Sequence, residues 1–318
     1  MLQVFKKSSK FTVTVDPALV VEGYDFDEQW IHMFNPTDKE IEFISRRLEI
    51  PEDMIKAGLD EEERAHIEKE DDILLVVTDI PITEEDDKGN YTYSTIPFAF
   101  ISTPKAIVTV CLTETTLVND ILSGRYIKDC NIHKQARFLL QLQYSVSKKY
   151  LQYLTQIDRG SQRIQTELEK SMRNKELIEM LDIEKSLVYF STSLRSNTVV
   201  LEKIPKLVKM FEEDVDLWED VLIENRQAIE MANIYRDILS GTMDAFASII
   251  SNNLNVVMKV LTSITLIISI PSIIGSLWGM NTWVPGEGTK WGFALALGIT
   301  AVICIIITIV LWKKKLLK

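Results

Sequence analysis

Two long uncharged segments near the C-terminus constrain this chain more than any other feature of its sequence. Residues 261–278 and 291–312 contain no charged side chain, and each run is about as long as a helix must be to cross the hydrocarbon core of a bilayer. Tryptophans stand at both ends of the second run, as is typical of membrane interfaces. The sequence therefore predicts two transmembrane helices, 256–278 and 291–312, joined by the loop 279–290.

The charges that flank these segments predict their orientation. The loop contains only Lys290 and Glu287, whereas the tail 313–318 is rich in lysine, and Lys259 precedes the first segment. Lysine and arginine concentrate on the cytoplasmic side of membrane proteins. We therefore expect a multi-pass protein of the inner or plasma membrane, with both termini in the cytoplasm and the loop outside.

Mostly polar side chains recur along the first predicted span at alternating spacings of three and four residues. We call this set the polar stripe: Asn255, Met258, Thr262, Thr265, Ser269, Ser272 and Ser276. Residues at these spacings share one face of a helix, and polar groups are costly to expose to lipid. The stripe therefore faces either another helix, packed through small residues, or a water-filled pathway formed by several copies of this helix.

Two motifs at the ends of this span carry a family resemblance. Gly279-Met280-Asn281 follows the span directly, and SNNLNVVMKVLT stands at its start. In these positions they closely resemble the CorA family of divalent-metal (magnesium and cobalt) ion channels. The resemblance is strongest over residues 235–318 and weak in the N-terminal third, and the loop sequence TWVPGEGTKW is less acidic than that of many relatives.

The resemblance implies a function and an assembly. A family member would be a funnel-shaped homopentamer that admits Mg²⁺ passively through the bilayer, with Co²⁺ and Ni²⁺ as further candidates. A Zn²⁺ transporter of the related ZntB type shares the Gly-Met-Asn motif and is the close alternative. A membrane-anchored oligomeric sensor or scaffold, whose helices only oligomerise, is the alternative from another class.

The resemblance also assigns a selectivity filter to Gly279, Met280 and Asn281. Mg²⁺ gives up its water shell reluctantly, so a ring of Asn281 amides would contact the hydrated ion through its waters. Gly279 is expected to permit a tight backbone turn, and Met280 to pack beneath the ring.

Candidate pore-lining and gate residues extend from the span toward the cytoplasm. They are Asp244, Asn255, Met258, Leu261, Thr262, Thr265, Ser269 and Ser272. Asp244 lies about three helical turns before Asn255 and would place carboxylates at the inner mouth; a solvated stalk acid is the alternative. Met258 and Leu261 could close a pore by excluding water, or could simply pack between helices.

Regulation is a further implication of the family. Mg²⁺ bound between neighbouring cytoplasmic domains would hold the pore shut. Asp220 occupies the place of the family's stalk acid, and Asp60 and Glu61 are the nearest acids on the facing domain. Ordinary surface acidity is the alternative for Asp60 and Glu61.

Composition limits the other functions that the chain could have. The 46 acidic and 35 basic residues give a net charge of −11, which argues against nucleic acid as a partner and is compatible with divalent cations. The 3 cysteines and 3 histidines show no metal-motif spacing, so they are expected to be reduced packing residues and surface or core histidines. Phosphate-loop and nucleophile-elbow motifs are missing from the sequence, so neither an enzyme nor an organic cofactor is expected.

The remaining sequence predicts an α/β domain followed by helices. Within the α/β domain, 1–125, we expect strands at 11–15, 30–34, 73–80, 92–101 and 106–112, and helices at 38–48, 54–69 and 115–123. The segment 126–204 is expected to form antiparallel helices at 132–159, 161–180 and 183–203, with a break near Gly160 and a cap at Asp182. Pro205 is expected to start the long final helix, whose part 205–255 would be a stalk leading to the membrane.

Overall fold

The computed structural model describes residues 1–7, 11–14, 26–85, 91–127, 130, 132–171, 174–281, 283–286, 288–314 and 316. The chain divides into two compact units, Met1–Gly241 and Thr242–Lys318. The first unit contains a β-sheet and helices. The second contains the two apolar segments, both of which are helical.

A mixed sheet forms the centre of the first unit. Its strands, within the described residues, are β1 Leu2–Lys7, β2 Phe11–Thr14, β3 Trp30–Phe34, β4 His66–Glu70, β5 Ile73–Glu85, β6 Tyr91–Ser102 and β7 Ile107–Cys111. Their order is β2-β1-β3-β7-β6-β5-β4. Only the β3–β7 pair is parallel among these neighbours, so the predicted mixed sheet is confirmed.

The predicted strands agree with the observed ones to within a few residues, except that β5 is longer. The hairpin predicted between 73–80 and 92–101 is formed by β5 and β6, in register from Leu74 opposite Ser102 to Glu85 opposite Tyr91. Its predicted turn, residues 86–90, lies outside the described residues, as does position 15.

Alternation along the strands gives the sheet two different faces. Ile31, Met33, Ala99, Val108 and Val110 point to one face, where they pack with the short helices α1, Asp38–Leu48, and α2, Glu52–Lys56. The prediction for α1 is confirmed, and a capping box between Thr37 and Glu40 fixes its start because it satisfies two free backbone donors. The predicted short helix at 115–123 is also confirmed, as α3, Thr116–Leu122, with Thr115 as its N-cap.

The predicted helix at 54–69 is wrong. Helix α2 ends at Lys56, and β4 begins at His66. The carboxylate of Asp60 accepts a hydrogen bond from the backbone N–H of Glu62 at 3.0 Å, and such local side-chain bonds compete with helix formation. The residues from His66 onward instead pair their backbone groups with β5, in an antiparallel ladder.

Two long helices cover the other face of the sheet. They are α4, Gln135–Ser171, and α5, Asn174–Leu207. The Phe138 ring lies 5.1 Å from that of Trp30, and the Tyr150 ring lies 5.0 Å from that of Phe190. The Tyr150 hydroxyl donates to the carbonyl of Asp79 on β5 at 3.0 Å, so this interface is fixed by both aromatic packing and hydrogen bonds.

The predicted breaks in the helical region are wrong. Helix α4 runs through Gly160, Asp182 lies inside α5 and caps nothing, and residues 172–173, between α4 and α5, lie outside the described residues. Pro205 lies inside α5, and the last long helix, α6, spans Glu212–Trp278.

A single hydrogen bond explains how α5 accommodates Pro205. Proline has no N–H, so the carbonyl four residues earlier loses its helical donor. That carbonyl belongs to Leu201, and it accepts the indole N–H of Trp218 on α6 at 2.9 Å. Helix α5 therefore continues through Pro205, and the carbonyl of Leu201 that the proline leaves free attaches α6 to α5.

Ion pairs attach the first part of α6 to α4. The carboxylate of Asp214, whose side chain is 2% exposed, accepts from Arg137 at 2.9 Å. About three turns further along α6, Glu224 accepts from Lys148 at 2.6 Å. Sequence reasoning did not find these pairs because their partners are separated by more than seventy residues.

The buried polar cluster in the sheet consists of His32, Thr109, Trp30 and Cys111. The Thr109 hydroxyl lies 2.9 Å from Nδ1 of His32 and accepts from the Trp30 indole at 2.9 Å. Burial lowers the pKa of His32 to about 4 and raises the pKa of the Cys111 thiol to about 12. A neutral thiol is a poor nucleophile and metal ligand, so this pair fits the expectation of packing residues.

The lowered pKa of His32 predicts a pH dependence of stability. Between pH 6.5 and pH 4 the unfolded chain binds a proton that the folded chain excludes, so stability from this group is fully present above pH 6.5 and is lost as the pH falls. The full contribution is about 3 kcal/mol. Thermal unfolding of the full-length protein in detergent, measured across this range, should show a flatter pH dependence for His32→Gln than for the natural protein.

His66 offers the control for this measurement. Its ring is partly exposed and lies 3.4 Å from a carboxylate oxygen of Glu63, so His66→Gln removes a histidine from the surface and not from the core. Identical slopes for the natural protein and His32→Gln would contradict the assignment, whatever the loss of stability at pH 7.

Candidate ion pathway

The second unit contains a helical hairpin formed by the end of α6 and by α7, Lys290–Lys313. Among the described residues, α6 and α7 are the helices long and apolar enough to cross a membrane. Both predicted spans are therefore helical.

One face of α6 packs against α7. The Cys304 sulfur on α7 lies 3.9 Å from the carbonyl oxygen of Ile267 on α6, and Ser263, Ile270 and Ile274 are buried on α6. The spacing of the α6 residues marks a single helical face. This face, and not the polar stripe, is the one that α7 covers.

The polar stripe lies on nearly the opposite side of α6. At 3.6 residues per turn it is centred about 130° away from the face that α7 covers. All of its residues are exposed in the single chain except Ser269, which is half-buried. The stripe is thus not explained by packing within one hairpin.

Three hydroxyl groups of the stripe are bonded to their own helix. Thr262 donates to the carbonyl of Met258 at 2.7 Å, Thr265 to that of Leu261 at 2.8 Å, and Ser269 to that of Thr265 at 2.7 Å. Since each proton is used, the outward side of each oxygen presents lone pairs. Water molecules around a cation direct their hydrogens outward, so this surface suits water and hydrated cations.

The bonding alone does not identify a pathway, because Thr300 and Thr308 on α7 make the same kind of bond. What distinguishes the stripe is its continuity along one helical face. Sequence periodicity could find that face, but it could not show which way the hydroxyl protons point.

The gate candidates lie on the exposed side of α6. Met258 is 53% exposed and Leu261 is 56% exposed in the single chain. Asp244 and Asn255 are also exposed. Their large or charged side chains are therefore available to contacts outside the hairpin.

The Gly-Met-Asn motif begins where α6 ends. The N–H of Gly279 donates to the carbonyl of Gly275 at 3.1 Å, and Gly279 is not among the glycines with positive φ. The expected tight turn at Gly279 is therefore wrong: this residue continues the last helical turn. Met280 and Asn281 are both exposed in the single chain, and the packing of Met280 beneath a ring of Asn281 side chains stays a prediction.

The loop after the motif is closed by two glycines. A Cβ atom on Gly292 would lie 2.5 Å from the carbonyl oxygen of Gly286, and Gly286 itself has φ +89°. The Thr289 hydroxyl donates to the same carbonyl at 2.8 Å. Only glycine allows this contact, which returns the loop onto the first turn of α7.

The predicted regulatory residues are not brought together within one chain. Asp220 is exposed on α6, and Asp60 and Glu61 are exposed in the turn that follows α2. No group of three or more His, Cys, Asp or Glu residues that could hold a metal occurs among the described residues. A site shared between copies of the chain stays a prediction.

A buried charge cluster in the first unit escaped sequence reasoning. Asp120 accepts from Arg125 at 3.0 Å and from the buried Lys149. Lys149 also lies 5.2 Å from the centre of the Tyr153 ring. Paired in this way, the charges hold α3 against α4, and no spacing in the sequence indicates it.

Comparison with known families places the chain. The family model described as CorA-like Mg²⁺ transporter protein matches residues 27–315. The chain belongs to the CorA family. Helices α6 and α7 are accordingly the two C-terminal membrane helices of a CorA protein, and the match covers most of the N-terminal third, where the sequence resemblance was weak.

Individual relatives agree with this assignment. The cobalt/magnesium transport protein CorA of Methanocaldococcus jannaschii is 27% identical over 301 residues, 92% of each chain. The solved structure of the complete CorA magnesium transporter from the same organism has a TM-score of 0.79 at 23% identity, covering 98% of this chain and 96% of that one. The ZntB cytoplasmic domain of Vibrio parahaemolyticus has a TM-score of 0.58 at 12% identity, covering 80% and 97%.

Proposed function

We propose that this CorA-family chain forms a homopentameric channel that admits Mg²⁺ into the cell, driven by the inside-negative membrane potential. The observation that carries the proposal is the polar stripe, which runs along a membrane helix on the side away from α7. A lone hairpin would expose this stripe to lipid at a cost, whereas several copies around an axis would turn it toward water.

Exposed aliphatic side chains support association of several copies. Ile223, Ile234 and Ile238 share one side of α6 in the first unit, and each is more than half exposed. A second exposed set on α5 comprises Leu181, Val188 and Val199. Such rows favour packing against another protein surface, and the number of five comes from the family resemblance.

The Gly-Met-Asn motif would act as the selectivity filter of this channel. A ring of Asn281 side chains offers amide oxygens to the water shell of Mg²⁺, which the ion keeps because dehydration is costly. Co²⁺ and Ni²⁺ have similar hydrated forms and would pass as well. Asp244 would supply carboxylates at the inner mouth, and Met258 and Leu261 would close the pore by excluding water.

Orientation and regulation complete the proposal. Lys259, Lys313 and Lys314 mark the cytoplasmic end of the hairpin under the positive-inside rule, so both termini are cytoplasmic. Mg²⁺ bound between copies, at Asp220 on one and at Asp60 or Glu61 on its neighbour, would hold the closed state by mass action.

We propose Mg²⁺ and not Zn²⁺ as the transported ion because of the proteins that this chain resembles. The full-length match is named a cobalt/magnesium transport protein, whereas the ZntB domain is a more distant structural match. A sensor or scaffold without flux would leave the continuous hydroxyl surface without a role. Comparing Mg²⁺ with Zn²⁺ uptake in one set of vesicles separates these possibilities.

The first prediction from the proposed function concerns the filter. Asn281→Ala removes the amide that contacts the hydrated ion, so Mg²⁺ uptake into liposomes that contain the purified protein should be abolished. Elution volume and thermal unfolding of the variant show whether assembly and folding survive. Undiminished uptake by Asn281→Ala would refute the filter assignment.

The second prediction separates the polar stripe from hydroxyl groups in general. Thr265→Val on α6 and Thr300→Val on α7 are matched, because both threonines donate to a carbonyl in their own helix at 2.8 Å. Thr265→Val removes from each copy an oxygen that accepts a hydrogen bond from water, and such a bond contributes about 1 kcal/mol. Mg²⁺ uptake by Thr265→Val should therefore be at least about fivefold slower. Thr300→Val should transport normally, and equal effects in the two variants would contradict the pathway.

The third prediction concerns regulation. Mg²⁺ should slow limited proteolysis of the natural protein by holding copies together, and Asp220→Lys should lose this protection. Glu219→Lys, which changes the adjacent exposed acid on a different side of α6, is the control. Identical digestion of the natural protein with and without Mg²⁺ would argue against any sensor site.

A further inference from the structure

The backbone places three lysines, Lys259, Lys313 and Lys314, at the same end of the membrane hairpin. The chain after α7 turns back, with the N–H of Lys314 donating to Val310 and that of Leu316 to Leu311, both at 3.0 Å. This turn brings the carbonyl of Leu316 within 3.3 Å of the Ser263 hydroxyl oxygen. The same hydroxyl donates to the carbonyl of Lys259 at 2.8 Å.

The buried Ser263 therefore joins the two sequence-distant lysine segments. It lies one turn after Lys259 on α6 and contacts the chain just beyond Lys313 and Lys314. All three lysines are exposed, so their ammonium groups are free to meet one ligand at this end of the hairpin.

These positive charges are not neutralised within their own unit. The structure gives none of the three ammonium groups an ion pair among its described residues. From Ala245 to the C-terminus the sequence contains a single acid, Glu287, which belongs to the loop at the other end of the hairpin. Asp244 precedes Lys259 by fifteen residues, or about 22 Å along a helix.

The position of the three lysines indicates the ligand. They stand where two membrane-spanning helices leave the hydrocarbon core, beside the exposed indole of Trp312 and just beyond the exposed aliphatic side chains of Ile309 and Val310. A lipid molecule at this depth places its acyl chains along the aliphatic side chains and its phosphate at the level of the ammonium groups.

We propose that Lys259, Lys313 and Lys314 form a binding site for the phosphate of an anionic membrane lipid. Lysine binds phosphate as a compact point charge. The choline or amine of a zwitterionic lipid competes with the three lysines for its own phosphate, whereas an anionic headgroup carries no such cation. The bound lipid bridges α6 and α7. It thereby braces the part of α6 that lies between Met258 and Leu261, and it does so whichever ion the channel conducts.

The test uses the full-length protein in vesicles of phosphatidylcholine and phosphatidylglycerol, with either lipid brominated in its acyl chains. Brominated lipid quenches nearby tryptophan fluorescence, and the difference between the natural protein and Trp312→Phe isolates the signal from this site. The natural protein should prefer phosphatidylglycerol. Each Lys→Gln change at 259, 313 or 314 should lower that preference about fivefold, and Lys→Arg should retain it.

Controls separate the site from general surface charge. Lys290→Gln, at the opposite end of the hairpin, should leave the quenching at Trp312 unchanged. High salt should lower the preference of the natural protein without any mutation, which keeps the test valid if a variant misfolds. Inorganic phosphate at millimolar concentration should not displace the lipid.

Three results would overturn the proposal. They are equal quenching by the two lipids in the natural protein, an undiminished preference in the triple Lys→Gln variant that unfolds at the normal temperature, and displacement of the lipid by inorganic phosphate. The last would make this a site for soluble anions. Mg²⁺ uptake is not used in the measurement, so failure of the transport proposal would leave the outcome intact.

Discussion

The requirement that a membrane helix satisfy its polar groups internally governs the part of this protein that carries the proposed function. In hydrocarbon there is no water to bond an unused donor. The hydroxyls of Thr262, Thr265 and Ser269 meet this requirement by donating to carbonyls one turn earlier. The same bonds leave oxygen lone pairs facing outward, so the chemistry that lets these side chains enter a membrane also suits them to hydrated cations.

The first unit meets a related requirement by pairing polar groups over long sequence distances. The proline in α5 would orphan the carbonyl of Leu201, and the indole of Trp218 bonds it. Asp214 would be a costly buried charge, and Arg137 pairs with it. Each of these contacts attaches α6 to a different helix. The start of α6 is therefore held by polar groups that would be unpaired without their partners.

The fold was predictable where a local pattern decides it. Short apolar runs indicated the strands Trp30–Phe34 and Ile107–Cys111, and Asn35-Pro36-Thr37 marked the start of α1. Prediction failed where local signals were ambiguous. Residues 54–69 are rich in good helix formers, yet the bond from Glu62 to Asp60 and the pairing of β4 with β5 decide against a helix. Pro205 looked like a helix start because sequence cannot show that Trp218 supplies the missing donor.

The sequence by itself determined the two membrane helices, the polar stripe and the Gly-Met-Asn motif, because hydrophobic length and helical period are local properties. Only the tertiary structure decided which side of α6 meets α7, and hence that the stripe is left facing outward. It also decided that Ser263, one turn after Lys259, contacts the chain just beyond Lys313 and Lys314. Such juxtapositions depend on packing between segments distant in sequence, where no periodicity or motif specifies which surfaces will meet.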